Sequence, residues 1–425
     1  MVISRPANPI LVAFQVPTPK NRPKNVTGPD LSNMTEHPRL RIAYLCDLDP
    51  TESWTYSGGN ARILNAVQKH VGDVDIVDRD WGVLEFLRQG LHRSPDAINI
   101  RARWRLHILL SRIISRVVTR ALARKRYDVL FCSYSFHSMA SLRLPYPIVT
   151  AFTSDATPTT YKKSAVGATF GSFLFFSRLF DAYVQKSERK VFLATDLNIW
   201  PSEWQKDQAD RYFNLTDSQS LVVPWGANIE APARPTDPVV MSDAAPVRLL
   251  LVGRDWIAKG GPLAVAVLEN LKARGVEATL TVVGSTPPPA QVTAEMTIYP
   301  SLDKSIPSEF ETFQTLYKDS HFMVMPSYEA YGFAFCEASA YGLPSLCMRA
   351  GGVPIRDGIN GHALPEGATA KDFVDQILYY RDHPAAYQDL RKSSRQLFES
   401  ELNWDAWGQR VSDLIRQQLD QRKRA

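Results

Sequence analysis

Residues 321–348 read HFMVMPSYEAYGFAFCEASAYGLPSLCM, and the fold class can be predicted from the pattern of these residues. HFMVMPS is a short apolar run typical of a buried strand. FCEASAYG is a helical segment that ends at Gly342, and Pro344 follows two residues later, a combination that stops a helix. SLCM is a second buried strand. A strand, a helix and a strand in this order predict a parallel βαβ unit.

The same alternation continues upstream of this unit. The neighbouring segments are the strand VRLLLVG (247–253), the helix LAVAVLENLKARG (263–275) and the strand ATLTVVG (278–284). Together they predict one doubly wound domain over residues 247–403. Further strands, from RLRIAYLCDL to SLVVPWGA, predict another such domain over residues 39–230. The fold class expected is therefore α/β, with two parallel sheets that carry helices on both faces.

Segments outside these two domains have a different composition. Residues 1–38 hold seven prolines and little periodicity, so we expect a disordered tail. Residues 231–246 are rich in proline and small residues, which is typical of an interdomain linker. The last predicted helix, within residues 404–425, is expected to pack back on the first domain.

Bulk composition excludes several classes of protein. The chain has 425 residues, of which 44% are hydrophobic and 22% charged, a balance typical of a globular protein. No apolar run is long enough for a transmembrane helix, and the N-terminus lacks the features of a secretory signal. The four cysteines form no CxxC pair, which favours buried free thiols in a reducing cytosol. We therefore expect a cytoplasmic protein.

The loop after HFMVMPS carries two carboxylates around a glycine. Glu329 lies just past the strand, and Glu337 lies about one turn into the next helix, with seven residues between them. Gly332 lets the backbone approach a ligand closely. The amides of Phe333 and Ala334 at the helix start would suit a diphosphate, because a helix N-terminus has unpaired N–H groups and a partial positive charge.

The loop after VRLLLVG carries two cations. Arg254 and Lys259 follow a strand and precede the glycines 260–261 and a helix. In an open parallel sheet, ligands bind beyond the carboxyl ends of the strands, so this loop and the Glu329 loop belong to one crevice. The two cations would stabilise the negative charge of a diphosphate leaving group.

With both constellations present, the C-terminal half resembles the retaining GT-B glycosyltransferases of glycosyltransferase family 4. Glu329 and Glu337 match that family's Glu-x7-Glu motif, and ASAYGLPSLCMRAGGVPIRDGINGHALP (338–365) also fits the family. The resemblance covers residues 40–415 and is strongest over 246–365. It implies a GT-B fold and transfer of a hexose, with retention, from a nucleoside diphosphate sugar to a glycan, lipid or small-molecule acceptor, as in synthesis of cell-surface polysaccharide or glycolipid.

The resemblance also implies individual roles on the donor side. Arg254 and Lys259 would contact the diphosphate, Glu329 the hydroxyls of the sugar, and Glu337 the ribose. The backbone of residues 299–302 would line the pocket for the base.

The acceptor side departs from the family pattern. Gly58 and Gly59 match the family's glycine pair, which lets a loop approach the donor phosphate and the acceptor; a simple turn before a helix is the alternative. Many family members carry a histidine after the strand that corresponds to YPIVTAF, but here TSDAT follows. Asp155 is therefore the candidate general base or sugar ligand, although Ser154 or Asp155 could instead cap a helix. His137 is a weaker candidate.

Neither a metal nor another cofactor is expected. The letters of an Asp-x-Asp metal motif occur at 47–49, but they follow the first strand of the N-terminal domain, away from the predicted diphosphate. Two alternatives remain on the same fold. One is a different enzyme, such as a nucleotide-sugar epimerase or a phosphorylase, and the other is a non-catalytic module that binds nucleotide sugars.

One segment of the N-terminal half is strongly basic. Residues 101–126 contain eight arginines, one lysine and no acidic residue. Apolar residues recur at helical spacing and predict the buried stripe of a helix, at Leu106, Leu109, Leu110, Ile113, Val117 and Ala121. Arg112, Arg116, Arg120 and Arg124 form a second stripe. Such a helix would suit peripheral contact with an anionic membrane. The alternative is an ordinary helix with one face in the core and one in solvent. Nucleic acid is not an expected partner.

Overall fold

The computed structural model describes residues 38–52, 58–77, 86–87, 90, 96–165, 180–232, 240–242 and 245–424. The side chains of 96–105 and 107 are outside this description. The predicted disordered tail therefore lies outside the described residues except for Pro38, and the predicted linker lies partly outside them.

The N-terminal domain is built on a six-stranded parallel sheet. Its strand order is β2-β1-β3-β4-β5-β6. The strands are β1 (Leu40–Leu45), β2 (Gly72–Ile76), β3 (Val129–Ser133), β4 (Val149–Thr153), β5 (Leu197–Trp200) and β6 (Ser220–Val222). The helices between them are α1 (Gly59–His70), α2 (Asp96–Arg124), α3 (Phe136–Met139), α4 (Pro158–Lys163), α5 (Asp181–Ala194) and α6 (Glu203–Phe213).

The C-terminal domain repeats this architecture. Its parallel strands lie in the order β12-β11-β10-β7-β8-β9. They are β7 (Val247–Val252), β8 (Ala278–Val283), β9 (Met296–Tyr299), β10 (Phe322–Met325), β11 (Ser345–Met348) and β12 (Gly361–Leu364). The helices are α7 (Gly261–Ala273), α8 (Pro307–Asp319), α9 (Phe333–Ala340), α10 (Ala370–Asp382), α11 (Pro384–Ser400) and α12 (Trp404–Arg424).

The central strands are apolar without alternation because both faces of each sheet are covered. Every residue of β3, β4, β10 and β11 is buried. A strand that is covered on both faces reads as a continuous hydrophobic run, which is the pattern that the sequence presents. The predicted α/β class and the two doubly wound parallel sheets are confirmed.

Both domains share one hydrophobic cluster. Trp225, in the segment that leaves the N-terminal sheet, stacks on Phe333 of α9 with ring centroids 5.7 Å apart and planes 9° apart. The Tyr331 hydroxyl donates a hydrogen bond of 2.6 Å to the Trp225 carbonyl. Trp404, at the start of α12, lies 6.3 Å from Trp225 and 6.2 Å from Phe333. Aromatic packing therefore joins the domains beside the start of α9.

Helix α12 packs against the N-terminal domain although it follows the C-terminal domain in sequence. Trp407 is 1% exposed, and its ring meets Phe131 of β3 edge-on at 6.2 Å. Near the other end, Arg422 donates to both carboxylate oxygens of Asp196, at 2.7 and 2.8 Å.

The buried face of α2 differs from the predicted one. The predicted apolar stripe ran through 106, 109, 110, 113, 117 and 121. The residues that are buried are Ile108, Ser111, Ile114, Ser115, Val118 and Leu122, whereas Leu109 is 56% exposed. Of the predicted stripe, Leu106, Leu110 and Ala121 are partly buried and pack against the core. The buried face is centred elsewhere because it includes two serines, which periodicity counts as polar.

Candidate functional site

In each sheet, two neighbouring strands have connections that leave in opposite directions. In the C-terminal sheet these strands are β7 and β10, and in the N-terminal sheet they are β1 and β3. A crevice opens beyond the carboxyl ends of such strands, and ligands of doubly wound folds bind there. The loops that follow β7 and β10 are those predicted to contact the donor.

Lys259 and Glu329 meet at this point of the C-terminal sheet. The Lys259 ammonium forms an ion pair with Oε1 of Glu329, and their side chains are 25% and 15% exposed. The aliphatic part of Lys259 lies across Gly253, because a Cβ at that glycine would stand 2.4 Å from Lys259 Cγ. The Glu329 carbonyl accepts a hydrogen bond of 3.0 Å from the Gly352 amide. The pair is therefore held between two loops.

The start of α9 lies beside this ion pair. Gly332 precedes the helix with φ 90°, in the left-handed region that favours glycine. A Cβ at Gly332 would stand 3.3 Å from Glu329 Cγ. Phe333 and Ala334 are partly exposed, and no side chain of the described residues caps the helix start. The first-turn amides of α9 and the Lys259 ammonium therefore offer positive charge in one place.

Glu337 is more deeply buried than Glu329, with 4% exposure. Lys304 donates to its Oε1 at 2.7 Å, and the Tyr317 hydroxyl donates to its Oε2 at 3.2 Å. Burial, followed by the charge of Glu337, raises the pKa of Tyr317 well above its ordinary value, so the phenol keeps its proton and donates. The two glutamates of the motif thus bind different cations.

Arg254 does not join this arrangement. It is exposed and forms no hydrogen bond or ion pair with the residues that the structure describes. Its guanidinium is therefore open to a ligand, whereas the Lys259 ammonium is bound to Glu329.

The glycine pair of the N-terminal domain faces the donor helix. Gly58 has φ 83° and precedes α1. A Cβ at Gly59 would stand 2.7 Å from Cζ of Phe333 and 2.9 Å from the hydroxyl of Tyr134. Only glycine permits this approach, so the loop lies directly against the start of α9.

Asp155 lies in the loop after β4 and is partly buried. Its Oδ1 accepts a hydrogen bond of 3.0 Å from the Ala156 amide, and the Tyr161 hydroxyl is 3.4 Å from its Oδ2. Burial raises the pKa of Asp155 to about 6, against the effect of these hydrogen bonds, and the charge of Glu329 adds to the increase. Asp155 and Glu329 are therefore electrostatically coupled across the cleft.

Contacts between neighbouring residues bring the two loops together. Ala156 and Ala330 are both buried and pack against each other, with Trp204 alongside. Thr157, rather than Ser154 or Asp155, caps α4 by accepting a hydrogen bond from the Thr160 amide. The helix-cap alternative for Ser154 or Asp155 is therefore wrong, and the carboxylate of Asp155 contacts α4 through the Tyr161 hydroxyl rather than through a backbone amide.

Other polar residues lie at the carboxyl ends of the N-terminal strands. His137 is fully buried, and its Nε2 lies 3.6 Å from Oδ2 of Asp47. Tyr134, which directly follows β3, has φ 59° and packs on Trp225 with centroids 5.6 Å apart. A left-handed backbone is uncommon for a bulky residue and occurs often at functional sites.

Two residues that bear on the site were missed at the level of sequence. Tyr134 could have been found by applying the strand-end rule to β3, since it comes directly after that strand. Lys304 had no such signal, because β9, which precedes its loop, was not recognised as a strand. Among the described residues, no group of three or more His, Cys, Asp or Glu is placed to hold a metal ion.

A known protein family matches most of the C-terminal domain. Residues 246–382 match the family of glycosyl transferases group 1. This range includes β7 to α10, and therefore both loops that meet at Lys259 and Glu329. No curated protein matches the chain at the level of sequence.

Solved structures share the whole fold at low sequence identity. A sucrose-phosphate synthase from Thermosynechococcus elongatus aligns with a TM-score of 0.61 and 17% identity, over 90% of this chain and 100% of that chain. The apo form of the lipopolysaccharide outer core galactosyltransferase WaaB aligns with a TM-score of 0.60 and 14% identity, over 89% and 100%. WaaG, a glycosyltransferase involved in lipopolysaccharide biosynthesis, aligns with a TM-score of 0.55 and 15% identity, over 88% of this chain and 99% of that chain.

The expected resemblance to GT-B glycosyltransferases is thereby confirmed. The family match supports a glycosyltransferase activity, and this activity implies a nucleotide-sugar donor and a glycan or other acceptor. No helix among the described residues is long and apolar enough to cross a membrane.

Proposed function

We propose that this glycosyltransferase transfers a hexose, with retention of configuration, from a nucleoside diphosphate sugar to a glycan, lipid-linked or small-molecule acceptor. The observation that carries the proposal is the meeting of Lys259 and Glu329 beside the start of α9. A cation, a carboxylate and a helix N-terminus there match the diphosphate, the hydroxyls and the leaving-group charge of such a donor.

The donor would lie along the crevice of the C-terminal domain. The diphosphate would bind Lys259, Arg254 and the amides of Phe333 and Ala334. Lys259 would then share its charge between the diphosphate and Glu329, whose carboxylate would bind hydroxyls of the sugar. Glu337 would bind the ribose. The two cations together with the first-turn amides of α9 stabilise the diphosphate, so the proposed reaction uses no metal or other cofactor.

Retention follows from displacement on one face of the sugar. The bond between the anomeric carbon and the phosphate oxygen breaks, and the acceptor oxygen bonds to the same face of that carbon. The proton of the acceptor passes to the departing phosphate oxygen. Glu329, already paired with Lys259, is unsuited to act as a nucleophile, so the contribution of the protein is positioning and electrostatic stabilisation.

The acceptor would enter from the N-terminal domain. Gly58 and Gly59 let the loop before α1 lie against α9, and Asp155 faces Glu329 from the other side. Asp155, which ionises near neutral pH, would accept a hydrogen bond from the acceptor or from the transferred sugar. We also propose that the exposed arginines of α2 contact an anionic membrane on its cytoplasmic side.

A donor screen with matched variants tests this function. UDP-, GDP- and ADP-hexoses are incubated with the protein, and the released sugar and its anomer are recorded by NMR. Lys259→Ala and Glu337→Ala should each weaken the binding of the corresponding nucleoside diphosphate about 10- to 100-fold in calorimetry, since each removes a charged contact. Lys392→Ala, at an exposed position on α11, is the control.

Three outcomes would contradict the proposal. Release of the β-anomer from an α-linked donor would reject retention. Nucleotide binding without release or transfer of sugar would favour the non-catalytic module. Conversion of one nucleotide sugar into another would favour the epimerase.

A further inference from the structure

We propose that Lys304 is a positioning residue that holds Glu337 ready for the ribose hydroxyls, so that this lysine determines the preference for ribonucleotides over deoxyribonucleotides. This inference rests on the proposed function, because it concerns the nucleoside end of the same donor site. Lys304 lies in the loop between β9, at the edge of the C-terminal sheet, and α8.

The geometry fixes the Lys304 ammonium between two groups. Its Nζ lies 2.7 Å from Oε1 of Glu337 and 4.3 Å from the centroid of the Phe313 ring. The side chain of Lys304 is 37% exposed, whereas that of Glu337 is 5% exposed. One partner of the ion pair is thus buried in the domain, and the other is partly exposed to solvent.

The loop that carries Lys304 is itself held by hydrogen bonds. Oδ1 of Asp303 accepts from the amide of Ser305 at 2.8 Å and from its hydroxyl at 2.7 Å. The Asp303 amide donates to Oε2 of Glu309 at 2.7 Å. Lys304 is therefore presented from a fixed turn rather than from a free loop, so that its pairing with Glu337 costs little further backbone entropy.

Glu337 needs such a partner. A carboxylate that is buried to this degree is costly unless it is paired and hydrogen-bonded. Tyr317 supplies one hydrogen bond, to Oε2, and Lys304 supplies the only positive charge that the described residues bring to this carboxylate. Each carboxylate oxygen retains capacity for a further hydrogen bond, so ribose hydroxyls can still donate to it.

The chemistry that this arrangement recognises is a pair of neighbouring hydroxyls. Both oxygens of Glu337 are fixed, Oε1 by Lys304 and Oε2 by Tyr317, so the carboxylate presents a defined pair of acceptors. Without Lys304, Glu337 would lose its counter-charge and rotate, and the hydroxyls would lose an oriented partner. Removal of the Lys304 ammonium should therefore weaken the binding of ribonucleotides more than the binding of 2′-deoxy- or 3′-deoxynucleotides.

Calorimetry on four proteins tests the inference: wild type, Lys304→Met, Glu337→Gln and the double variant. The ligands are UDP, GDP and ADP with their 2′-deoxy and 3′-deoxy forms. Lys304→Met should weaken binding of the preferred ribonucleotide about tenfold. The ratio of its affinity to that of the deoxy forms should fall by a similar factor. The double variant should bind within about twofold of Glu337→Gln, because Lys304 acts through Glu337.

Matched variants separate positioning from general effects. Lys304→Arg, which keeps the positive charge, should keep the preference for ribose. Lys318→Met, on the neighbouring helix α8, should leave this preference unchanged. Circular dichroism and thermal melting check that each variant is folded. An unchanged preference in Lys304→Met, or losses that simply add in the double variant, would overturn the inference. If wild type binds none of the nucleoside diphosphates, the proposed function itself fails.

Discussion

Asp155 shows at the residue scale how its surroundings give a carboxyl group a new chemical role. An ordinary aspartate is ionised throughout the physiological pH range. Asp155 is partly buried and lies near Glu329, and its pKa is about 6. The group can therefore gain or lose a proton close to neutral pH, which suits a base or a hydrogen-bond acceptor in catalysis.

The pH dependence of sugar transfer should report this group. Because the pKa is raised and the carboxylate is the active form, kcat/KM should increase as pH rises through about 6 and level off above it. Asp155→Asn should lower kcat about 100-fold or more and remove this rise, since the amide does not titrate. Rates measured from pH 5 to 8 provide the check. A rise near pH 6 that persists in Asp155→Asn would assign it to another residue.

Among the helices, α2 has one buried apolar face and one exposed basic face. Ile108, Ile114, Val118 and Leu122 are buried against the N-terminal sheet. Arg112, Arg116, Arg120 and Arg124 are all exposed on the same helix. Four arginines at a spacing of four residues form one continuous row, because such residues share a helix face.

Replacing this row should weaken attachment to anionic vesicles. Changing all four arginines to glutamine removes four positive charges that each contribute about 1 kcal/mol near an anionic surface. Sedimentation with phosphatidylserine-containing vesicles at low salt should show much less bound variant than wild type, and neutral vesicles should bind neither. A control with Arg410, Lys423 and Arg424 of α12 changed to glutamine should sediment like wild type. Equal binding of the four-arginine variant would reject membrane contact.

In the molecule as a whole, the chain passes between the two domains twice. It leaves the N-terminal domain at Trp225, forms the C-terminal domain and returns to the N-terminal domain through α12. Trp225, Phe333 and Trp404 form one aromatic group at the point where the chain crosses in both directions. A side chain of the donor helix is thus packed against both crossing segments, so the stability of the site depends on both domains.

The N-terminal domain should depend on α12 for its stability. Trp407 is 1% exposed and packs on Phe131, so Trp407→Ala leaves a large cavity. We expect the free energy of unfolding to fall by about 3–5 kcal/mol. Guanidinium unfolding measures it, and proteolytic fragments should come first from the N-terminal domain. Gln409→Ala, on the exposed face of α12, should change stability by less than about 0.5 kcal/mol. Similar stabilities for the two variants would contradict this role of α12.

Local patterns in the sequence predicted the architecture and part of the site. Buried strands appear as short apolar runs and helices end at glycine and proline, because burial and backbone geometry act over a few residues. The strands β9 and β12 gave no such signal. Met296–Tyr299 is only partly buried, and Gly361–Leu364 contains a glycine and a histidine.

Sequence patterns alone predict two parallel sheets and the loops at their carboxyl ends. Which side chains of those loops meet is seen only in the folded chain. Lys259 and Glu329 are 70 positions apart, and Lys304 and Glu337 are 33 apart. Asp155 acquires its pKa from burial and from Glu329 of the other domain. Such contacts depend on how distant segments pack, and the spacing of residues along the chain does not predict that packing.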